Sequence, residues 1–233
     1  MEKELDSGPY DCQGKVGQIT DNGITVDGHV QYAYDRLVRA VFILGPSSSG
    51  KTTLCNALVE DLGLDRSRYV TEVARNVMKT HGFTRHDTDT FEMQHTIMMA
   101  QLRAEEAVLK RYSENIDFPL DILSDRSAID PAVYAGTSTA AGAAERQKRL
   151  LNDPAFRAVL PLYQKSTFVV LQPVQDWFED DGVRSLEDPR VYNTHLFAVM
   201  EELGIPFVCI GEERKDIRDR VDFVRELLEQ QRA

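Results

Sequence analysis

Along most of the chain, short apolar blocks alternate with longer stretches whose apolar residues recur at helical spacing. Residues 38–44 (VRAVFIL) form a brief apolar run closed by Gly45-Pro46, which predicts a strand buried on both faces. The next stretch places Leu54, Ala57, Leu58 and Leu62 on one face of a helix. Residues 69–71 predict a second short strand, and Thr88 or Asp89 is placed to cap a long helix that runs to about Tyr112. In that helix Met93, Ile97, Ala100, Ala104 and Ala107 predict the buried stripe, with Gln94, Met98 and Gln101 on a neighbouring face. Residues 120–124, 167–171 and 206–210 predict three further strands. The last helix carries Ile217, Val221, Val224 and Leu228 inward. Strands alternating with helices predict an α/β domain whose parallel sheet is covered on both sides.

The first 37 residues differ in character. They are polar and turn-rich, and Asp21-Asn22-Gly23 between residues 15–20 and 23–26 is a hairpin signal, so residues 1–37 predict a small N-terminal β appendage or arm. No repeat, linker or low-complexity tract divides residues 38–233, which read as one domain. At 233 residues, 42% hydrophobic and 28% charged, the chain can bury a sizeable core and is neither disordered nor fibrous.

Charge narrows the function. Lys plus Arg number 27 against 38 Asp plus Glu, a formal net charge of −11. So acidic a surface repels phosphate backbones, which disfavours general nucleic-acid or anionic-membrane binding and means that any phosphate chemistry needs a local positive site. Cys12, Cys55 and Cys209 are widely spaced with no CxxC, against a disulfide framework or a zinc site. The opening MEKELD lacks a signal-peptide core, and no apolar stretch is long enough to span a bilayer; a soluble cytoplasmic protein is expected.

The local positive site is visible at Gly45-Pro-Ser-Ser-Ser-Gly50-Lys51-Thr52, a complete G-x4-G-K-[ST] sequence lying between a predicted strand and a predicted helix. Its glycines allow the tight turn that exposes successive N–H groups to phosphate oxygens. Gly45, Ser47, Ser48, Ser49, Gly50 and Lys51 form the cradle, with the Lys51 ammonium reaching the β/γ-phosphates, and the positive end of the following helix adds to the anion site. Thr52 and Asp125, the latter at the end of the third predicted strand, are the candidate Mg2+ ligands, since a hard cation takes oxygen donors and keeps several waters. Arg126 follows Asp125 where a hydrolytic ATPase would place an acid to orient water; an arginine there suits anion anchoring instead. Neither N-K-x-D nor an LSGGQ-like sequence occurs, against a signalling GTPase and a transporter ATPase.

The P-loop, the Asp125-Arg126-Ser127 turn and Asp181-Gly-Val-Arg184 together resemble P-loop small-molecule kinases. The resemblance is in particular to the AAA-type domain family that includes the ribosylnicotinamide kinase of the bacterial bifunctional NAD regulator and its fungal and animal relatives, and it covers roughly residues 38–230. It implies a P-loop NTPase of nucleoside/nucleotide-kinase type: a five-stranded parallel sheet with the P-loop after its central strand, an acceptor pocket under the long helix, and a mobile lid. It further implies ATP with Mg2+, a nucleoside- or nucleotide-like acceptor, and Glu72 as the base that takes the acceptor's proton. The lid, around residues 175–190, would contribute Arg184 and Arg190 to the transferring phosphoryl group. The resemblance also offers Gln94 or Gln101 as an amide facing the acceptor's base edge. Glu72 reads equally as a first-turn acid of its helix, Arg75 as an acceptor-phosphate ligand or a solvated cation, and His95 as packed or exposed. Two rival functions share the triphosphate site: a non-catalytic ATP/GTP switch acting on a protein or lipid partner, and a hydrolysing ATPase, which Arg126 weakens.

Overall fold

The computed structural model describes residues 39–112, 120–177 and 189–230; the expected appendage at residues 1–37 and the predicted lid residue Arg184 lie outside these. Five strands form one parallel sheet: β1 (Ala40–Leu44), β2 (Tyr69–Val70), β3 (Ile122–Asp125), β4 (Thr167–Leu171) and β5 (Phe207–Ile210), in the order β2-β3-β1-β4-β5. The apolar run of β1 is at most 2% exposed along its whole length, as a central strand covered on both faces requires.

Alternation along the strands divides the core in two. Val41, Ile43, Leu123, Val169 and Leu171 face α1 (Lys51–Asp61) and α8 (Ile217–Gln230), packing on Leu54, Leu58, Val221 and Val224. Phe42, Leu44, Ile122, Phe168 and Val170 face the opposite layer. There they meet α3 (Phe91–Tyr112), α4 (Asp130–Thr137), α6 (Pro154–Tyr163) and α7 (Pro189–Glu202). Phe42 stacks on Phe168 at 4.7 Å between ring centroids, and Tyr163 closes on both edge-on, at 5.1 and 5.4 Å. Each such buried ring or aliphatic side chain contributes about 1.5–3 kcal/mol. Two shorter helices, α2 (Val73–His81) and α5 (Ala143–Leu151), complete the set among the described residues.

The long helix departs from expectation twice. Its cap is Thr90, whose hydroxyl accepts from the Met93 N–H at 3.3 Å, rather than Thr88 or Asp89. Its buried face is Met93, Gln94, Ile97, Met98, Gln101, Glu105 and Leu109, whereas Ala100 and Ala104 are half-buried and Ala107 is exposed. Polar residues occupy the inner face because hydrogen-bond partners await them there, which hydrophobic periodicity does not register.

Candidate active site

The site lies where the carboxyl ends of β1 and β3 meet, the usual position for ligands in an open parallel sheet. Register sets Ile43 of β1 beside Asp125 of β3, and the chain leaves β1 directly into the loop at residues 45–50. Gly45 has φ +140°, and a Cβ on it would lie 2.7 Å from the Leu171 carbonyl oxygen of β4, so only glycine fits. Ser48 (φ 59°) and Gly50 (φ 85°) are also left-handed, and Gly50 is the N-cap of α1. A serine held in that region is strained by about 1–3 kcal/mol, as ligand-clamping loops often are. The Ser49 hydroxyl donates to the Pro46 carbonyl at 3.0 Å. The Lys51 ammonium donates to the same carbonyl and, at 3.4 Å, to Ser49 Oγ, so the buried lysine curls into the loop it serves.

Thr52 Oγ1 donates to Asp125 Oδ2 at 2.5 Å, bringing together the two side chains expected to hold Mg2+. Thr52 is exposed and Asp125 nearly buried, so the pair presents hard oxygen donors at the open end of the loop. Among the described residues no cluster of three or more His, Cys, Asp or Glu side chains could hold a metal. A cation here would therefore complete its shell from phosphate and water, which suits Mg2+.

Arg126 is also left-handed (φ 82°), its N–H donating to the Ile43 carbonyl at 3.0 Å. That turn aims its guanidinium back across the site, where Nη1 donates to Asp130 Oδ1 at 2.6 Å. Burial works against the charge of Arg126, but Tyr134, Asp130, Tyr192 and Asp125 around it outweigh burial and hold its pKa above the ordinary value. Asp130 was not singled out by the sequence, yet it is the hub: 3% exposed, it also accepts from the Tyr192 hydroxyl at 2.6 Å and the Ser127 N–H at 3.0 Å. The i+4 spacing from Arg126 was the only available signal, and a turn separates the two residues.

Lys51, Thr52, Asp125, Arg126, Ser47, Ser48 and Gly50 line one cleft together with Glu72, Arg75 and Gln101. Glu72 sits in the left-handed N-cap of α2 (φ 57°, ψ 18°) without capping through its side chain, and its carboxylate accepts from Arg75 Nη1 at 3.1 and 3.2 Å. A second cleft adjoins the first through Ala74, Gln101 and Arg126, and is walled by Met78, Met93, Gln94, Ile97, Asp130, Pro131 and Tyr134. Gln94 donates to the Thr88 carbonyl at 2.8 Å. Gln101 donates to Glu105 at 2.9 Å and to Ser124 Oγ at 3.0 Å. Behind Gln101, buried Glu105 also accepts from the Tyr163 hydroxyl at 2.7 Å, and desolvation pushes its pKa up to about 8 despite those two donors. His95 stacks on Phe91 and pairs with Asp153 at 3.0 Å, outside both clefts. Arg190 is exposed in the first turn of α7 and lines neither cleft.

A P-loop, a threonine–aspartate pair and a five-stranded parallel sheet define a P-loop nucleotide-binding fold of nucleoside/nucleotide-kinase type. The AAA domain family matches residues 40–220, and the chain belongs to that family. It is 27% identical over 200 residues to the trifunctional NAD biosynthesis/regulator protein NadR of Escherichia coli (strain K12), a match covering 84% of this chain and 44% of that protein. The chain thus spans less than half the length of that relative. Among solved structures, NadR in complex with NR superposes with a TM-score of 0.62 at 20% identity, covering 82% of this chain and 51% of the other. NadR in complex with NAD and AMP-PNP gives 0.59 at 18%, covering 82% and 49%. These superpositions carry the fold. Among the described residues no helix is long and apolar enough to cross a membrane.

Proposed function

We propose that the protein is a kinase that transfers the γ-phosphoryl group of ATP to a hydroxyl or phosphate of a small nucleoside- or nucleotide-like acceptor. The observation that carries this reading is the meeting of two clefts: the one lined by the P-loop shares Ala74, Gln101 and Arg126 with a second, smaller and half-apolar one. A hydrolase has no use for that second pocket, and a plain nucleotide switch does not need Arg126 fixed at the junction.

Phosphoryl transfer requires positioning and charge neutralisation more than covalent help from the protein. Backbone N–H groups of residues 47–51 would hold the phosphates, and the Lys51 ammonium, leaving its loop carbonyl, would neutralise β/γ oxygens. Thr52 and Asp125 would hold Mg2+, which would supply positive charge to neutralise the phosphates. Arg126, oriented by Asp130, would meet the transferring group from the acceptor side, and Arg184 and Arg190 would contribute further positive charge to it. Glu72 would accept the acceptor's hydroxyl proton, with Arg75 holding the carboxylate by its two hydrogen bonds. Met78, Ile97, Pro131 and Tyr134 offer apolar surface to a flat ring, and Gln94 and Gln101 offer amides to its edge.

The test is ADP release from Mg-ATP by the full chain, with and without ribosylnicotinamide, nicotinamide mononucleotide, common nucleosides, nucleoside monophosphates and small hydroxy metabolites. NadR's complex with NR sets ribosylnicotinamide first in that panel. Stimulation by one compound, lost in Lys51→Ala, supports the kinase. Tight ATP binding with no stimulation by any of them supports the switch acting on a protein or lipid partner.

A further inference from the structure

Arg220 lies 171 residues from the P-loop in sequence, in the first turn of α8, and is 1% exposed. A guanidinium leaves water only for fixed partners. Its Nε donates to the Arg214 carbonyl at 2.6 Å, anchoring it to the turn after β5, and Nη1 donates to the Ser49 carbonyl at 3.0 Å. Its Cζ stands 4.8 Å from the centre of the Trp177 ring, and Nη2 is buried without a hydrogen-bond partner among the described residues. A Cβ on Gly50 would meet Arg220 Nη1 at 3.1 Å and the Trp177 ring at 3.2 Å, so cation, indole and P-loop backbone touch at one point. Desolvation pulls the guanidinium pKa down, with only Glu213 acting the other way. A positive charge held at that cost, in a chain of net charge −11, has a use for its charge as well as its shape.

The peptide that Arg220 grips is Ser49–Gly50. Its carbonyl accepts from the cation, and its other end is the Gly50 N–H within the phosphate cradle. A charged donor on the carbonyl draws electron density through the peptide group and makes the N–H a stronger donor, the cooperativity of linked hydrogen bonds. We propose that Arg220 is a positioning residue for the triphosphate: through the Ser49 carbonyl it fixes the Ser49–Gly50 peptide and strengthens the Gly50 N–H toward phosphate, with Trp177 as the plate on its other face. This rests on the P-loop binding polyphosphate and is independent of any acceptor. It also makes Trp177, the one tryptophan in the chain, a natural reporter of phosphate occupancy.

The experiment uses the full chain and magnesium tripolyphosphate, which carries the phosphates without a base. Calorimetry on wild type, Arg220→Lys and Arg220→Gln gives affinities, and Trp177 emission is followed in the same titrations. The expected order is wild type, then Arg220→Lys, then Arg220→Gln, with the glutamine weakened about tenfold, the effect of one charge-assisted bond. Lysine restores part of the affinity because it keeps the charge while losing the two-point grip. The wild-type emission changes as tripolyphosphate saturates, a measurement that needs no substitution and holds if Arg220→Gln fails to fold. An Arg220→Gln affinity within twofold of wild type overturns the inference. So does lysine as weak as glutamine, or wild-type emission unmoved while calorimetry shows binding. Wild type that binds neither tripolyphosphate nor Mg-ATP overturns the P-loop reading itself, and this inference with it.

Discussion

Glu105 makes the stability of the domain depend on pH in a direction opposite to that of an ordinary paired carboxylate. It is 1% exposed, and its pKa is raised from 4.5 to about 8, chiefly by burial. The unfolded chain gives up this proton near 4.5, while the folded protein keeps it to about 8. The stability it contributes is therefore fully present below 4.5 and is lost as pH rises toward 8. Each pH unit in that window removes about 1.4 kcal/mol. Between pH 5.0 and 7.5 the loss is thus about 3 kcal/mol, a large fraction of a typical domain's stability. Glu105→Gln keeps the shape and removes the titration. Urea unfolding of both proteins at pH 5.0, 6.0, 7.0 and 7.5 isolates the effect, because every other titrating group is common to both. The variant loses hydrogen-bond quality toward Gln101 and Tyr163, so it is the less stable protein at pH 5.0. Relative to wild type it gains about 3 kcal/mol by pH 7.5. Parallel pH profiles for the two proteins would refute the reasoning, and with it the assignment of Glu105 as a buried acid that stays protonated near neutrality.

Three further outcomes are expected. Asp130→Ala strips Arg126 of its carboxylate and leaves the Tyr192 hydroxyl and Ser127 N–H without their acceptor, costing about 3–5 kcal/mol in urea unfolding, as removal of one partner from a buried pair does; a loss under about 1 kcal/mol would count against the hub. Asp125→Asn removes the charge beside Thr52 Oγ1, so the gain in ATP affinity on adding Mg2+, read by calorimetry with and without chelator, should fall at least about tenfold, while metal-free nucleotide binding stays near wild type. Gly45→Ala forces a Cβ to within 2.7 Å of the Leu171 carbonyl and should abolish nucleotide-induced thermal stabilisation while the far-UV spectrum persists; retained stabilisation would mean that β4 can yield there.

Some of this was legible in the residues alone because the chemistry is local. Residues 45–52 carry the complete G-x4-G-K-[ST] spacing, and four of the five predicted strands are short, mainly apolar runs. Thr167–Leu171 coincides with its prediction residue for residue, and β1, β2, β3 and β5 differ from theirs only at the ends. Asp125 was expected beside the P-loop because it ends the third strand, and it stands hydrogen-bonded to Thr52 there. The stripe through Ala100, Ala104 and Ala107 failed because it ranked positions by hydrophobicity, while Gln94, Gln101 and Glu105 are buried by their hydrogen bonds.

The sequence by itself determined the alternating α/β order, the phosphate loop with its lysine and threonine, and the acid that faces them. Each depends on residues adjacent in the chain or one strand away. Only the tertiary structure decided that Asp130 would gather Arg126 and Tyr192, that Glu105 would be sealed under Tyr163, and that Arg220 would brace Ser49. The partners in the last three contacts are 62, 58 and 171 residues apart, respectively. No pattern in the sequence marks Asp130, Glu105 or Arg220 for these roles. Whether a charged side chain is solvated or buried and paired is set by what the packed layers bring opposite it, and no local pattern records that.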